Sequence, residues 1–166
     1  MNRTVQQIVE GLGLERHPEG GWFREAYRAS VQVRHPALFA GDAARPAGTA
    51  IYYLLPASEF SAFHRVTHSD ELWHLYAGDP LELHVIRPDG SYDIHLLTAD
   101  LTAGAPMAVV EAGCWQAARV ADGGAWSLCG CTVAPGFTYA DFELAEAETL
   151  IASFPQQEAV IRRFTP

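Results

Sequence analysis

The chain has 166 residues, 49% hydrophobic and 19% charged, which suits one domain with a core or a walled cavity and excludes a disordered chain. Its formal net charge of −9, with no block of like charges, argues against nucleic acid or anionic membrane as a partner, because both demand concentrated positive charge. All eleven cationic side chains are arginine, so chemistry that needs a lysine, such as a Schiff base with a carbonyl substrate, is excluded.

The first residues, Met1-Asn2-Arg3-Thr4-Val5-Gln6-Gln7, lack the apolar core of a signal peptide, and no stretch nears the roughly 18 apolar residues of a membrane span, so a cytoplasmic location is expected. Residues 4–12 read as a helix: Thr4 can cap it, and Val5, Ile8, Val9 and Leu12 recur at helical spacing. From there the sequence becomes a train of short runs rich in Val, Ile, Leu, Tyr and Trp, broken by Gly, Pro and Asp. The spacing predicts strands over 21–28, 49–55, 60–66, 71–77, 81–87, 92–97, 107–111, 115–120 and 125–134. Residues 29–48, with Pro36, Gly41 and Pro46, read as a long loop. Arg87-Pro88-Asp89-Gly90-Ser91 is a hairpin turn that pairs its flanking strands antiparallel, since Pro sets the first turn dihedral and Gly accepts positive φ. A second helix is expected within 143–154. Residues 1–166 form a single all-β domain with short terminal helices, without an internal repeat or linker.

Strand alternation sorts the polar residues. If His64 faces inward, so do Phe60, Ala62 and Val66; if Glu71 does, so do Trp73, Leu75 and Ala77. A buried His and a buried Glu on neighbouring strands are costly unless paired, bonded to a ligand or bound to metal. The bland alternative is a His64–Glu71 hydrogen bond that satisfies two core groups. From Glu71, alternation points His74 to the opposite face, and only a bulge would bring it in. His68 belongs to a turn, and His84 and His95 fall on the polar side of their strands, facing solvent. Cys114, Cys129 and Cys131 read as buried thiols, since Cys-x-Cys alone supplies too few zinc ligands.

The stretch from His64 to Glu71, followed after six residues by Gly78, resembles the first cupin motif, His-x-His-x4-Glu-x6-Gly, with Val66 at the second histidine and Ser58 at the opening glycine. Glu111-Ala112-Gly113-Cys114-Trp115-Gln116 approximates the second motif, with Gln116 at its histidine. Further stretches resemble a small subfamily of uncharacterised cupins, a domain of unknown function also described as predicted sugar epimerases. They are His17-Pro18-Glu19-Gly20-Gly21-Trp22-Phe23-Arg24-Glu25, Ser69-Asp70-Glu71-Leu72-Trp73-His74, Tyr76-Ala77-Gly78-Asp79-Pro80-Leu81, Gly113-Cys114-Trp115-Gln116-Ala117-Ala118 and Ala134-Pro135-Gly136-Phe137. The resemblance implies a cupin-type double-stranded β-helix, or jelly-roll barrel, commonly a homodimer, with a small-molecule pocket inside; exposed strand edges independently favour dimerisation.

Without metal, His64 beside Glu71 is a proton-transfer pair: an imidazole oriented by a carboxylate can take a proton next to a carbonyl, as in an epimerase or isomerase acting on a sugar-like or carbonyl compound. Tyr53 or Tyr139 could return the proton. Gln116, Trp73, Tyr53, Arg24, Phe137 and His74 are the ligand-binding candidates: Trp73 and Phe137 as flat walls, Arg24 as a guanidinium for a carboxylate or phosphate. Two readings from other classes stay open, a non-catalytic sensor or storage cupin and a metal-dependent cupin using His64, Glu71 and Gln116. An amide oxygen is a poor ligand for first-row transition metals, which makes no cofactor the preferred reading over a divalent metal. The signatures of serine hydrolases, P-loop and dinucleotide-binding proteins and zincins are absent.

Overall fold

The computed structural model describes residues 4–35, 39 and 43–166. Helix α1 (Val5–Leu12) opens with a capping box, in which the Thr4 hydroxyl accepts from the Gln7 N–H and the Gln7 side chain accepts from the Thr4 N–H. Then follow β1 (Glu15–Arg16), β2 (Trp22–Arg28), β3 (Gln32–Arg34), β4 (Ala44–Pro46), β5 (Thr49–Pro56), β6 (Phe60–Val66), β7 (Asp70–Gly78), β8 (Leu81–Ile86), β9 (Tyr92–Leu97), β10 (Met107–Val110), β11 (Trp115–Val120), β12 (Trp126–Ala134) and β13 (Phe142–Leu144). Two short helices end the chain, α2 (Ala147–Ser153) and α3 (Glu158–Arg163).

The strands form two open antiparallel sheets, ordered β1-β2-β5-β12-β7-β10 and β13-β6-β11-β8-β9. Their edges remain distinct, so the expected barrel takes the form of two facing sheets. Inward residues of both, Tyr53, Leu55, Trp73, Cys129 and Cys131 from the first and Leu81, Leu83, Val85, Ala118 and Val120 from the second, share one core. The outer face of the first sheet is covered at one end by α1, where Ile8, Val9 and Leu14 meet Leu54, Trp22 and Leu128. The outer face of the second is covered by the C-terminal segment, where Leu150, Ile161 and Phe164 meet Phe63, Ile86 and Ala117.

All nine predicted strands form, and the β8–β9 hairpin closes as the turn chemistry requires, with Gly90 at φ +83° and Ile86 opposite Tyr92. Several expectations need correction. The long connection carries a ribbon of β3 and β4, with Pro46 as the last residue of β4; Pro36 and Gly41 lie outside the described residues. The second predicted helix is confined to α2, and α3 adds a turn and a half after Pro155. Strands β6 and β7 do not neighbour one another, since they belong to opposite sheets. Strand β6 also carries an extra residue: Gln116 pairs with His64 but Ala118 pairs with Ser61. That shift reverses the alternation, so Ser61 turns inward and Phe60 packs outward with Phe63 around Phe164. A second shift, between Leu75 and Ala77 opposite β12, leaves Ala77 exposed. His84, expected at the surface, is buried under Phe164, because the C-terminal segment covers the face that period-two reading assigned to solvent.

Candidate functional site

Between the sheets, at the end where β6, β7 and β12 approach β2 and β5, a cavity of about 310 Å³ opens to the surface, within the size range of small-molecule sites. Its polar lining includes His17, Glu19, His64 and Glu71; Phe23, Ile51, Val66, Val133, Phe137 and Phe142 form apolar walls; Glu25, Arg28, Thr49, Cys131, Thr138 and Tyr139 complete the lining.

His64 is 2% exposed. Its Nδ1 lies 2.8 Å from the Ala62 carbonyl oxygen, which can only accept, so Nδ1 carries the proton. The neutral imidazole therefore has its lone pair on Nε2, for which the described residues supply no hydrogen-bond donor. The same Nδ1 is 3.2 Å from Glu19 Oε2. Burial lowers the His64 pKa against the opposing pull of the Glu71 carboxylate, which keeps the ring neutral at physiological pH.

Glu71, on β7, faces His64 from the other sheet. Its Oε2 accepts from Gln116 Nε2 at 2.6 Å, while Gln116 Oε1 accepts from Trp73 Nε1 at 2.8 Å. The indole N–H is donor-only, which fixes the amide: oxygen to Trp73, nitrogen to Glu71. Gln116 and Trp73 thus stand behind Glu71 and outside the cavity lining. Burial raises the Glu71 pKa, with His64 pulling it down and Glu19 pushing it up.

Glu19 was not singled out by alternation because it lies in a turn. His17-Pro18-Glu19-Gly20-Gly21 folds back through His17 N–H to Gly21 O and Gly20 N–H to His17 O. Gly20 has φ +110°, and a Cβ there would run into the Phe60 carbonyl oxygen. The Ala62 N–H holds the Glu19 carbonyl at 2.8 Å, and Ser61 donates to Glu19 Oε1 at 2.9 Å. His17 Nδ1 is 3.4 Å from Glu19 Oε2, so this carboxyl bridges two imidazoles. Burial raises the Glu19 pKa and lowers that of His17. The adjacent glycines, a chain reversal beside two titratable residues, were the available signal.

The other candidates divide. Phe137 lines the cavity with Tyr139 and Phe142, the three rings meeting edge to face at 5.2–6.1 Å. Tyr53 is fully buried and donates to the Gly20 carbonyl at 2.8 Å; burial lifts its pKa well above that of a free phenol, so it braces the Glu19 turn. Arg24 and His74 stand away from the cavity, on the outer face of the first sheet, Arg24 over the Tyr52 ring and His74 stacked on Tyr76. Arg24 pairs with Tyr52 across β2–β5, while the next residue, Glu25, reaches the cavity. No bulge rotates His74 inward, since its ladder neighbours Gly130 and Met107 keep strict register.

The donor set fits a metal poorly. Both ends of the Gln116 amide are committed to Trp73 and Glu71, and no group of three or more His, Cys, Asp or Glu among the described residues is arranged to hold a metal ion. Cys114, Cys129 and Cys131 are buried free thiols, and burial pushes the Cys129 pKa up to about 12. Among the described residues no helix is long and apolar enough to cross a membrane.

Residues 6–145 match the family model described as cupin superfamily (DUF985). A hypothetical protein from Leishmania major is 34% identical over 98% of this chain and 99% of its own, with a TM-score of 0.90. A protein from Shewanella oneidensis is 36% identical over 99% of both chains, with a TM-score of 0.87. Oxalate decarboxylase of Bacillus subtilis, in a variant form, is 13% identical with a TM-score of 0.54 over 90% of this chain and 36% of its own, a likeness of fold alone. No curated protein matches the chain significantly. The extent of the family match and the two full-length relatives establish that the chain belongs to the DUF985 family of the cupin superfamily.

Proposed function

We propose that the cavity binds a small sugar-like or carbonyl compound and that the protein is an epimerase or isomerase working by proton transfer, with His64 as the base. The observation that carries this reading is the His64 tautomer: Nδ1–H is spent on the Ala62 carbonyl, so a neutral imidazole on the cavity wall keeps Nε2 as a free acceptor. In the proposed step Nε2 takes the proton from the carbon beside the carbonyl, and the C–H electron pair moves into an enolate. The imidazolium so formed is stabilised by Glu71 and Glu19, both of which interact with His64. Glu71 is held by Gln116 and Trp73; Tyr139, in the cavity lining, returns a proton to the opposite face, which inverts the carbon, and the imidazolium proton then passes to the tyrosinate through solvent. We further read the two sheets as halves of a jelly roll, in a cytoplasmic homodimer. Exposed Met107 and Val109 on the edge strand β10 support an interface there.

The test is incubation in D2O with a panel of aldoses, amino sugars and hydroxyketones, followed by proton NMR. The reading expects one compound to gain deuterium beside its carbonyl, at a rate that His64→Asn lowers by about 100-fold. Binding without exchange would select a non-catalytic ligand-binding cupin.

A further inference from the structure

We infer that the ligand of this cavity carries a protonated amine, held between the buried carboxyl groups and the aromatic walls. The inference rests on the small-molecule reading above and deepens it. Three carboxyl groups, Glu19, Glu25 and Glu71, line the cavity. The one arginine in its described lining is Arg28, and that guanidinium is committed: Nε and one terminal nitrogen donate to Glu25 at 2.9 and 2.6 Å, and the other donates to the Phe137 carbonyl at 3.3 Å. Arg24, the guanidinium that the sequence offered for an acidic ligand, is on the far face of the sheet. Nearby Arg45 spends its charge on Asp141 through two hydrogen bonds.

An anionic ligand would therefore find no unmatched arginine among the described lining residues and would face Glu19 and Glu71 in a region of low dielectric, where like charges repel strongly. A cation meets the opposite conditions. It would find two buried carboxyl groups without an arginine partner and the rings of Phe23, Phe137 and Phe142, whose negative faces attract an ammonium. The walls are apolar enough to desolvate the ligand, which strengthens both attractions.

The test uses three probes of one shape, cyclohexylammonium, cyclohexanol and cyclohexanecarboxylate, titrated at neutral pH against the full-length protein and followed by shifts of the cavity resonances in nitrogen-15 NMR. The inference expects the ammonium to bind about tenfold more tightly than the alcohol, the carboxylate to bind more weakly than either, and Glu71→Gln to reduce the ammonium's advantage. Should that variant fail to fold, Glu25→Gln at the exposed rim serves: it frees Arg28 and must reduce the same ratio. Equal binding of all three probes, or tighter binding of the carboxylate, overturns the inference and leaves the small-molecule reading intact. Failure of every probe to bind overturns both.

Discussion

Gln116 stands directly opposite His64 across the β6–β11 ladder, yet its amide crosses to the other sheet and donates to Glu71 at 2.6 Å. One neutral side chain thereby ties the two halves of the site together, with Trp73 fixing which end of the amide faces the carboxyl group.

Replacing Gln116 by Leu keeps the volume and removes both hydrogen bonds, leaving the Trp73 N–H buried without a partner and Glu71 without its amide donor. Each lost partner costs about 1–3 kcal/mol, so the melting temperature is expected to fall by roughly 10 °C. Loss of the amide donor also raises the Glu71 pKa further, because that bond favours the ionised form. Calorimetry checks the first effect and carboxyl-carbon NMR the second. An unchanged melting temperature would mean that the bond carries no weight.

Gly20→Ala tests the turn that brings Glu19 inward. With φ at +110° and the Phe60 carbonyl in the space a Cβ would occupy, the substitution must displace the turn at a cost above about 2 kcal/mol, whereas Gly11→Ala in α1, where a Cβ meets open space, is expected to be neutral or stabilising. Comparing the two variants by chemical denaturation separates a strained turn from a general intolerance of alanine. Equal stabilities would contradict the assigned role of Gly20.

Acid stability should depend on His84. Its Nε2 is buried without a hydrogen-bond partner among the described residues, and burial brings its pKa down from 6.5 to about 4. The folded state thus disfavours the charged ring. Stability from this residue is complete above pH 6.5 and falls between pH 6.5 and about 4, as the unfolded chain takes up a proton that the folded chain refuses. The loss amounts to roughly 3 kcal/mol, with His17 and His64, also lowered by burial, adding to the slope. His84→Phe is expected to flatten the decline between pH 7 and pH 4 in urea denaturation. A slope identical to that of the unsubstituted protein would refute the assignment.

Much of this architecture is legible in the residue pattern. Runs rich in Val, Ile, Leu, Tyr and Trp, bounded by Gly, Pro and Asp, located nine strands, each four to nine residues long. The remaining strands span two or three residues, too short for a period to register, and α3 buries only Ile161, which leaves no apolar stripe to detect. Alternation tied Trp73 to the face of Glu71, while the likeness to the cupin motif is what pointed His64 and Glu71 inward. The partners of those groups followed from neither, because β6 and β7 join opposite sheets and the extra residue in β6 reverses the face of Phe60. His84 escaped because solvent exposure depends on what covers a sheet, here a segment some eighty residues later in the chain. Glu19 reaches the site through a glycine turn, where no periodicity exists to read.

The central claim, that a neutral His64 presents a free Nε2 to the cavity, is tested most directly by a long-range proton–nitrogen-15 spectrum of the histidine rings at neutral pH. The geometry predicts that His64 is the tautomer protonated on Nδ1, with the Nε2 resonance of an unprotonated nitrogen. A ring protonated on Nε2 alone, or on both nitrogens, would contradict it.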